Sequence, residues 1–332
     1  YAKGYGDLAL LAYTVVLFSF LRLVLSHYAF PALARSRGIT KKTKLLRFGE
    51  QGYAVVYFAV FGAWGYVMSQ SRTWWFRTEF FWRDYPHAAL SGAMKRYYLS
   101  QIAYWLQQFL VLTLGLEKRR SDHWELVLHH CITVWMVSWS YLMNVTLLGN
   151  AVFMSMDVPD LCLAFSKLLN YLQLERAKVV SLGVFVVVWT YFRHYISIRI
   201  LYSLRYEFHL VPEHARQWNP RAGAWMALWM RDQMFYTLCV LQALNLFWYY
   251  LIIRVVVRCV SIMTAQTDDN RSDDEEDGDE EDADADIDAD VDAEPKEKKL
   301  PPSVSGRAKR GSADKAIMPL VDAEADGRGK DE

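Results

Sequence analysis

Apolar stretches about as long as a membrane-spanning helix alternate with shorter polar segments along most of the chain. A helix needs roughly 20 mainly apolar residues to cross the hydrocarbon core of a bilayer. The pattern therefore predicts an all-α integral membrane protein with about seven transmembrane helices. These helices are predicted over residues 8–30, 51–68, 97–116, 124–142, 148–169, 179–201 and 230–257.

The first apolar stretch has no small-residue cleavage site, so it is interpreted as a span and not as a signal peptide. Because residue 1 is Tyr, we expect the native chain to begin upstream, and an earlier span could precede this one.

The positions of Lys and Arg in the short loops predict the orientation. Loop 31–50 carries six Lys and Arg residues, loop 117–123 carries three and loop 170–178 carries two. The connection 143–147 carries none. The balance favours the cytosolic side for the three basic loops and for the C-terminal tail. Two long loops rich in Trp and Tyr would then lie on the other side.

Charge divides the chain into two parts that add to a net charge of zero. Residues 1–267 hold 27 Lys+Arg and 13 Asp+Glu, whereas residues 268–332 hold 10 Lys+Arg and 24 Asp+Glu. The acidic part has almost no aromatic or branched apolar residues, so it is predicted to be a disordered tail. Ser272, followed by four acidic residues, is a candidate phosphorylation site. The apolar body excludes an ordinary soluble enzyme, and no nucleic-acid partner is predicted.

Ionisable residues interrupt the predicted spans, and such residues usually mark a functional site. His129 and His130 lie in span four, and Asp157 and Asp160 in span five. The spacing i, i+3 puts the two carboxylates on one face, whereas His130 is turned about 100° from His129. Counted from the cytosolic ends at 1.5 Å per residue, His129 lies about 8 Å deep and Asp160 about 14 Å deep. We therefore predict one His–carboxylate site in the cytosolic half of the membrane.

These residues also have interpretations other than catalysis, namely a structural hydrogen bond or a metal site. A single His in a membrane span is a structural hydrogen-bond partner as often as it is a functional residue. Two His and two Asp at matching depth favour function. The eight His residues form no HxxxH box and the four Cys no CxxC spacing, so no metal site is predicted. Arg193 and His194 in span six either balance the Asp charges or only join spans six and four.

The motifs resemble those of a known family. ELVLHHCIT at 125–133, MDVPD at 156–160 and SKLLNY at 166–171 resemble the Lag motif of ceramide synthases, and WTYFRH at 189–194 is similar to the fungal longevity-assurance branch. The resemblance implies a TLC-type helical bundle in the endoplasmic reticulum membrane that transfers a fatty acyl group from acyl-CoA to a sphingoid base. It implies no cofactor, since acyl-CoA is a substrate.

The resemblance also assigns roles and parts of the chain. His129, His130, Asp157 and Asp160 correspond to the essential His and Asp pairs. We hypothesise that His129 acts as nucleophile or general base, that Asp160 orients it, and that His130 and Asp157 pass the proton or hold the amine. The division implied is a first helix with a basic loop over 1–50, a TLC catalytic domain over 51–262, its Lag motif at about 125–171, and an acidic cytosolic tail over 263–332.

Weaker expectations concern substrate binding and partners. Asn170, Arg193 and His194 are candidates for binding substrate, and the basic residues Lys118, Arg119 and Arg120 for binding the CoA phosphates, although a positive-inside loop explains these three almost as well. The expected partners are acyl-CoA, the sphingoid base, membrane lipids, a small single-span accessory subunit, and a second copy or a paralogue in a dimer. The alternative left open is a non-enzymatic TLC protein that senses lipids or assists translocation. Such proteins lack the paired His and Asp.

Overall fold

The structure is a computed structural model that describes residues 3–70, 77–83, 85–87, 89–116, 122–219 and 224–269. In this part of the chain, seven long helical segments coincide with the seven predicted apolar stretches. They are α1 (Gly6–Ser36), α2 (Lys42–Gln70), α3 (Gly92–Thr113), α4 (His123–Leu142), α5 (Thr146–Tyr171), α6 (Glu175–Leu210) and α7 (Leu228–Asp269). The prediction of an all-α membrane bundle is confirmed.

The seven helices differ in how apolar they are. Within the described residues, α1, α2, α6 and α7 are long and apolar enough to cross a membrane by length and composition. The helices α3, α4 and α5 carry many of the buried polar side chains. A helix enclosed by other helices can carry polar groups, because they face protein and not lipid. Seven membrane crossings therefore remain a prediction, whereas seven helices are observed.

Local signals account for several helix ends and irregular turns. The Ser91 hydroxyl caps α3 by accepting a hydrogen bond from the Met94 amide at 3.1 Å. Asn144 and Gln173, with φ of 61° and 52°, form the left-handed turns after α4 and α5. Residues Leu25–Ala29 of α1 are π-helical, as are Thr190–Ile196 and Ser203–Glu207 of α6. Helix α5 continues through Pro159, although proline lacks the amide hydrogen that a helix interior uses.

The π-helical turn of α1 packs directly against α2. A Cβ atom on Gly49 would lie 2.0 Å from the Ser26 carbonyl oxygen, and one on Gly52 would overlap the Phe30 ring. Only glycine allows the two backbones to approach this closely. The contact fixes how the first two helices cross.

Contacts at the two ends of the bundle show that neighbouring helices alternate in direction. At one end, Lys95 at the start of α3 pairs with Asp7 at the start of α1 at 2.6 Å, and the Tyr141 hydroxyl near the end of α4 donates to Asp7 at 2.9 Å. At the other end, the Phe48 ring of α2 lies 6.5 Å from the Tyr171 ring that ends α5. Loops predicted to share one side of the membrane therefore do meet at one end.

Two large apolar clusters form most of the core of the described residues, and a third, small one consists of Ala34, Leu45 and Phe48. An aromatic cluster joins α1, α2 and α3, where the Tyr57 and Tyr104 rings stack and Phe18 packs edge-on against both. The second cluster joins α4 to α7 with residues 78–85, where the Trp82 indole donates to the Ser203 hydroxyl at 2.8 Å. A short antiparallel pair, Trp218–Asn219 with Ala224–Trp225, precedes α7.

Candidate active site

The two histidines lie side by side near the start of α4, and both are buried. Their ring centroids are 5.5 Å apart at an interplanar angle of 79°, so the imidazoles face different directions, as predicted. The Trp105 ring of α3 packs edge-on against both, and the Trp248 ring of α7 lies 5.3 Å from His129. Three helices therefore hold the pair, and two indoles fix the position of His129.

Hydrogen bonding differs between the two imidazoles. His130 Nδ1 lies 2.8 Å from the Leu126 carbonyl oxygen. A carbonyl can only accept, so Nδ1 carries the proton and Nε2 is the basic nitrogen of a neutral His130. His129 Nδ1 is buried and has no hydrogen-bond partner among the described residues. The His129 ring is thus positioned by packing, and its Nδ1 is available for chemistry.

Asp157 is fully buried and is held by a glutamine. Gln101 Nε2 donates to Asp157 Oδ2 at 2.6 Å, and the Tyr57 hydroxyl donates to Gln101 Oε1 at 2.6 Å. The second carboxylate oxygen, Oδ1, has no partner within the described part of the chain. The Gln101 amide therefore fixes one oxygen of Asp157 and leaves the other able to accept a proton or a hydrogen bond.

Asp160 pairs with Arg193 of α6, whose Nη2 lies 2.6 Å from Oδ1. The Arg193 side chain is 3% exposed, stacks on the Trp189 ring and donates from Nη1 to Asn245 Oδ1 at 3.0 Å. Arg193 therefore balances the charge of an Asp, which is one of the two roles expected for it. The carboxylate hypothesised to orient His129 is instead bonded to this guanidinium.

These contacts close a ring through five helices, here called the site ring. Each member touches the next or lies within about one turn of it on the same helix. The members are His129 and its neighbour His130 (α4), Trp105 and Gln101 (α3), Asp157 and Asp160 (α5), Arg193 (α6), and Asn245 and Trp248 (α7). The predicted His and Asp pairs therefore belong to one polar group, in which His129, His130 and Asp157 are buried and Asp160 is 22% exposed.

The remaining candidates lie elsewhere. His194 is not a member of the site ring. Its Nδ1 accepts from Gln242 of α7 at 2.8 Å, so this hydrogen bond joins span six to span seven and not to span four. Asn170 follows Asp160 by ten residues, about 15 Å further along α5. Lys118, Arg119, Arg120 and Ser272 lie outside the described residues.

Four members of the ring were not predicted from sequence: Gln101, Trp105, Asn245 and Trp248. The sequence does carry a signal for the two amides, because an uncharged polar side chain in an apolar span also needs a hydrogen-bond partner. The prediction rests on ionisable residues alone and therefore misses these two. The tryptophans gave no such signal in a chain with 13 of them. The Trp248 indole also donates to the buried Asp122 at 3.0 Å, which ties α7 to the start of α4.

The chemistry open to this site is acid–base or nucleophilic. It offers two imidazoles, two carboxylates and a guanidinium in a water-poor interior. Across the residues that the structure describes, no group of three or more His, Cys, Asp or Glu side chains could hold a metal ion.

Comparisons with known proteins agree with the resemblance in the motifs. The TLC domain family matches residues 47–254. Sphingosine N-acyltransferase lac1 of Schizosaccharomyces pombe is 39% identical over 276 residues, which are 82% of this chain and 70% of that protein. Ceramide synthase LAG1 of Saccharomyces cerevisiae is 36% identical over 281 residues, covering 82% of this chain and 67% of that protein.

Proposed function

The chain belongs to the TLC domain family, among the fungal ceramide synthases, and we propose that it transfers a fatty acyl group from acyl-CoA to the amine of a long-chain sphingoid base. In this reaction the amine nitrogen attacks the thioester carbonyl, the carbon–sulfur bond breaks, and CoA leaves as its thiol while the amine loses its proton. The observation that supports the proposal most is the site ring, which brings the His pair and the Asp pair of the family motif into one largely buried group.

The unpartnered atoms suggest how the roles are divided. His129 acts on the acyl group, either as the nucleophile that forms an acyl-imidazole or as the general base for the amine. Asp157 Oδ1, which has no partner within the described residues, holds the amine or accepts its proton. His130 relays that proton through Nε2, since its Nδ1 is committed to a backbone carbonyl. Asp160 acts through Arg193, to which it is bonded.

We also propose a location for the reaction. The protein lies in the endoplasmic reticulum membrane with the basic loops and the acidic tail in the cytosol, where CoA is released, while both lipid substrates enter from the bilayer. Tags in loop 31–50 and after Arg258 should be open to protease in sealed microsomes, and a tag in loop 202–229 should be protected. Protection of the C-terminal tag would contradict this orientation.

The fungal resemblance also supports two protein partners, a small single-span accessory subunit and a second copy or paralogue in a dimer. Affinity purification of the tagged full-length chain in mild detergent, followed by identification of bound proteins, tests both. Recovery of the chain alone and as a monomer would contradict them.

The activity is tested in microsomes from a host that lacks its own ceramide synthases. The full-length chain should form ceramide from palmitoyl-CoA and dihydrosphingosine, with release of one CoA thiol per amide. Microsomes that carry the empty vector are the control. Correctly inserted protein that forms no ceramide above this control would contradict the proposal and would favour a non-enzymatic TLC protein.

A further inference from the structure

A small cavity of about 10 Å³, enough for one water-sized group, lies between α5, α6 and α7, next to the site ring. Most of its wall is aliphatic, but Gln242 and Asn245 of α7 and the hydroxyl-bearing Ser155 and Ser197 also line it. The two amides are three residues apart and therefore share a face of α7. Polar groups in an apolar bundle need a partner, so this cavity has a chemical preference.

Asn245 presents a hydrogen-bond donor to this region. Its Oδ1 accepts from Arg193 Nη1 at 3.0 Å. A guanidinium can only donate, so this bond fixes which end of the amide is oxygen. The amide nitrogen, Nδ2, is buried and has no hydrogen-bond partner in the described part of the chain.

Gln242 presents the complementary acceptor. In the His194 tautomer that carries its proton on Nε2, Gln242 Nε2 donates to His194 Nδ1 at 2.8 Å, and Gln242 Oε1 is then a buried acceptor without a partner among the residues described. Helix α7 thus offers one donor and one acceptor from neighbouring turns. A hydroxyl group satisfies both, because it can accept from Nδ2 and donate to Oε1. An ammonium group only donates and a thioester carbonyl only accepts, so each would leave one of the two atoms unsatisfied.

The position of the cavity indicates which substrate brings the hydroxyl. In a sphingoid base, the hydroxyl-bearing carbons 1 and 3 flank the carbon that carries the reacting amine. The hydroxyls of CoA lie far from its sulfur, and a simple acyl chain has none. Asn245 is joined through Arg193 to Asp160, so its free donor lies beside the proposed catalytic groups.

The apolar surroundings also fit a lipid. Val152 and Leu238 line both this cavity and a larger apolar cleft of about 30 Å³ between α4, α5 and α7. Polarity therefore falls from the amides toward the cleft, as it does from the head of a sphingoid base to its hydrocarbon chain.

We propose that Gln242 and Asn245 form the subsite that binds a hydroxyl of the sphingoid base next to its reacting amine. This inference rests on the proposed function, and it assigns these two side chains to recognition of the base and not of the acyl-CoA. His194 is a positioning residue here, since it holds the Gln242 amide in the orientation that presents Oε1.

The test compares three bases with palmitoyl-CoA in microsomes that contain the full-length chain: dihydrosphingosine, its 1-deoxy analogue and its 3-deoxy analogue. The wild type should prefer dihydrosphingosine over at least one analogue by about tenfold or more in kcat/KM, because the missing hydroxyl leaves buried polar atoms unpaired. In Gln242→Leu and in Asn245→Asp, which keeps an acceptor for Arg193, this preference should fall below about threefold. The KM for palmitoyl-CoA should not change.

Gln108→Leu is the matched control, because Gln108 is a partly buried glutamine of α3 that bonds to Gln107 at 2.9 Å and does not line the cavity. It should keep the wild-type preference. A wild type that does not discriminate, or an active Gln242→Leu that still does, would overturn the subsite. If Asn245→Asp does not fold, Gln242→Leu decides, since it leaves the Arg193 contact intact. A wild type that acylates none of the bases would instead refute the proposed function.

Discussion

Two polar clusters occupy opposite parts of the bundle, and their hydrogen bonding differs. The end cluster consists of Lys3, Asp7, Lys95, Tyr141 and Asn144, where α1, α3 and α4 meet. Both Asp7 oxygens have partners there, and the Lys3 ammonium donates to the Tyr141 carbonyl, to the Leu142 carbonyl at 3.0 Å and to Asn144 Oδ1. The end cluster therefore uses its polar groups to join helices.

The site ring contains similar residue types, but several of its atoms are left without partners. Among the described residues these atoms are Trp105 Nε1, His129 Nδ1, Asp157 Oδ1, Arg193 Nε and Asn245 Nδ2. A buried polar atom without a partner lowers stability by about 1–3 kcal/mol, so proteins rarely keep several together without a functional reason. The comparison suggests that the end cluster contributes stability and the site ring contributes activity at the expense of stability.

The largest expected effect tests the site ring. His129→Ala should lower ceramide formation at least about 100-fold, because it removes the group that acts on the acyl carbonyl, while expression and thermal stability stay near the wild type. Turnover and the melting temperature of the purified protein measure the two quantities. Retention of more than about a tenth of wild-type turnover, a barrier change of under ~1.4 kcal/mol, would contradict the assigned role.

Gln101→Leu should affect both properties, since Gln101 satisfies Asp157 and Tyr57 and also orients the carboxylate. We expect a fall of about 1–3 kcal/mol in the free energy of unfolding. Turnover in the folded protein should fall about 10- to 100-fold through misplacement of Asp157. Gln108→Leu on the same helix is the control. Turnover equal to that of the control, at a temperature where both are folded, would show that Gln101 is only structural.

A substitution in the end cluster should lower stability and leave turnover nearly unchanged, the reverse of His129→Ala. Asp7→Asn removes the ion pair with Lys95 and should lower the free energy of unfolding by about 1–3 kcal/mol. The kcat and KM of the folded protein should stay within about twofold of the wild type, since the cluster lies at the other end of α4 from the His pair. A selective loss of kcat with unchanged melting temperature would break the comparison.

The smallest expected effect is a pH dependence of the end cluster. Burial lowers the pKa of Lys3 from 10.5 to about 8. Between these two pH values the unfolded chain keeps a proton that the folded chain has lost, so the contribution of Lys3 to stability rises with pH. The melting temperature of the wild type minus that of Lys3→Met should therefore increase from neutral pH to about pH 10. A constant or falling difference would contradict a Lys3 that is buried in the folded protein.

The sequence by itself determined the helices and the family. Each of the seven long helices coincides with a predicted apolar stretch, and the His pair and Asp pair were found because charged groups in such stretches stand out within a few residues of sequence. Counting residues along helices that alternate in direction also predicted that the two pairs lie near one another. All of these properties are local to one or two neighbouring segments.

Only the tertiary structure decided which residue partners which. Asp160 is bonded to Arg193, 33 residues away, and Asp157 to Gln101, 56 residues away. The apolar pattern of a span sets its length but not its rotation about its own axis or its neighbours in the bundle. Those depend on close contacts between distant segments, such as the approach of α2 to α1 at Gly49. The same physical reason hid Trp248, which becomes part of the site only because α7 packs against α4.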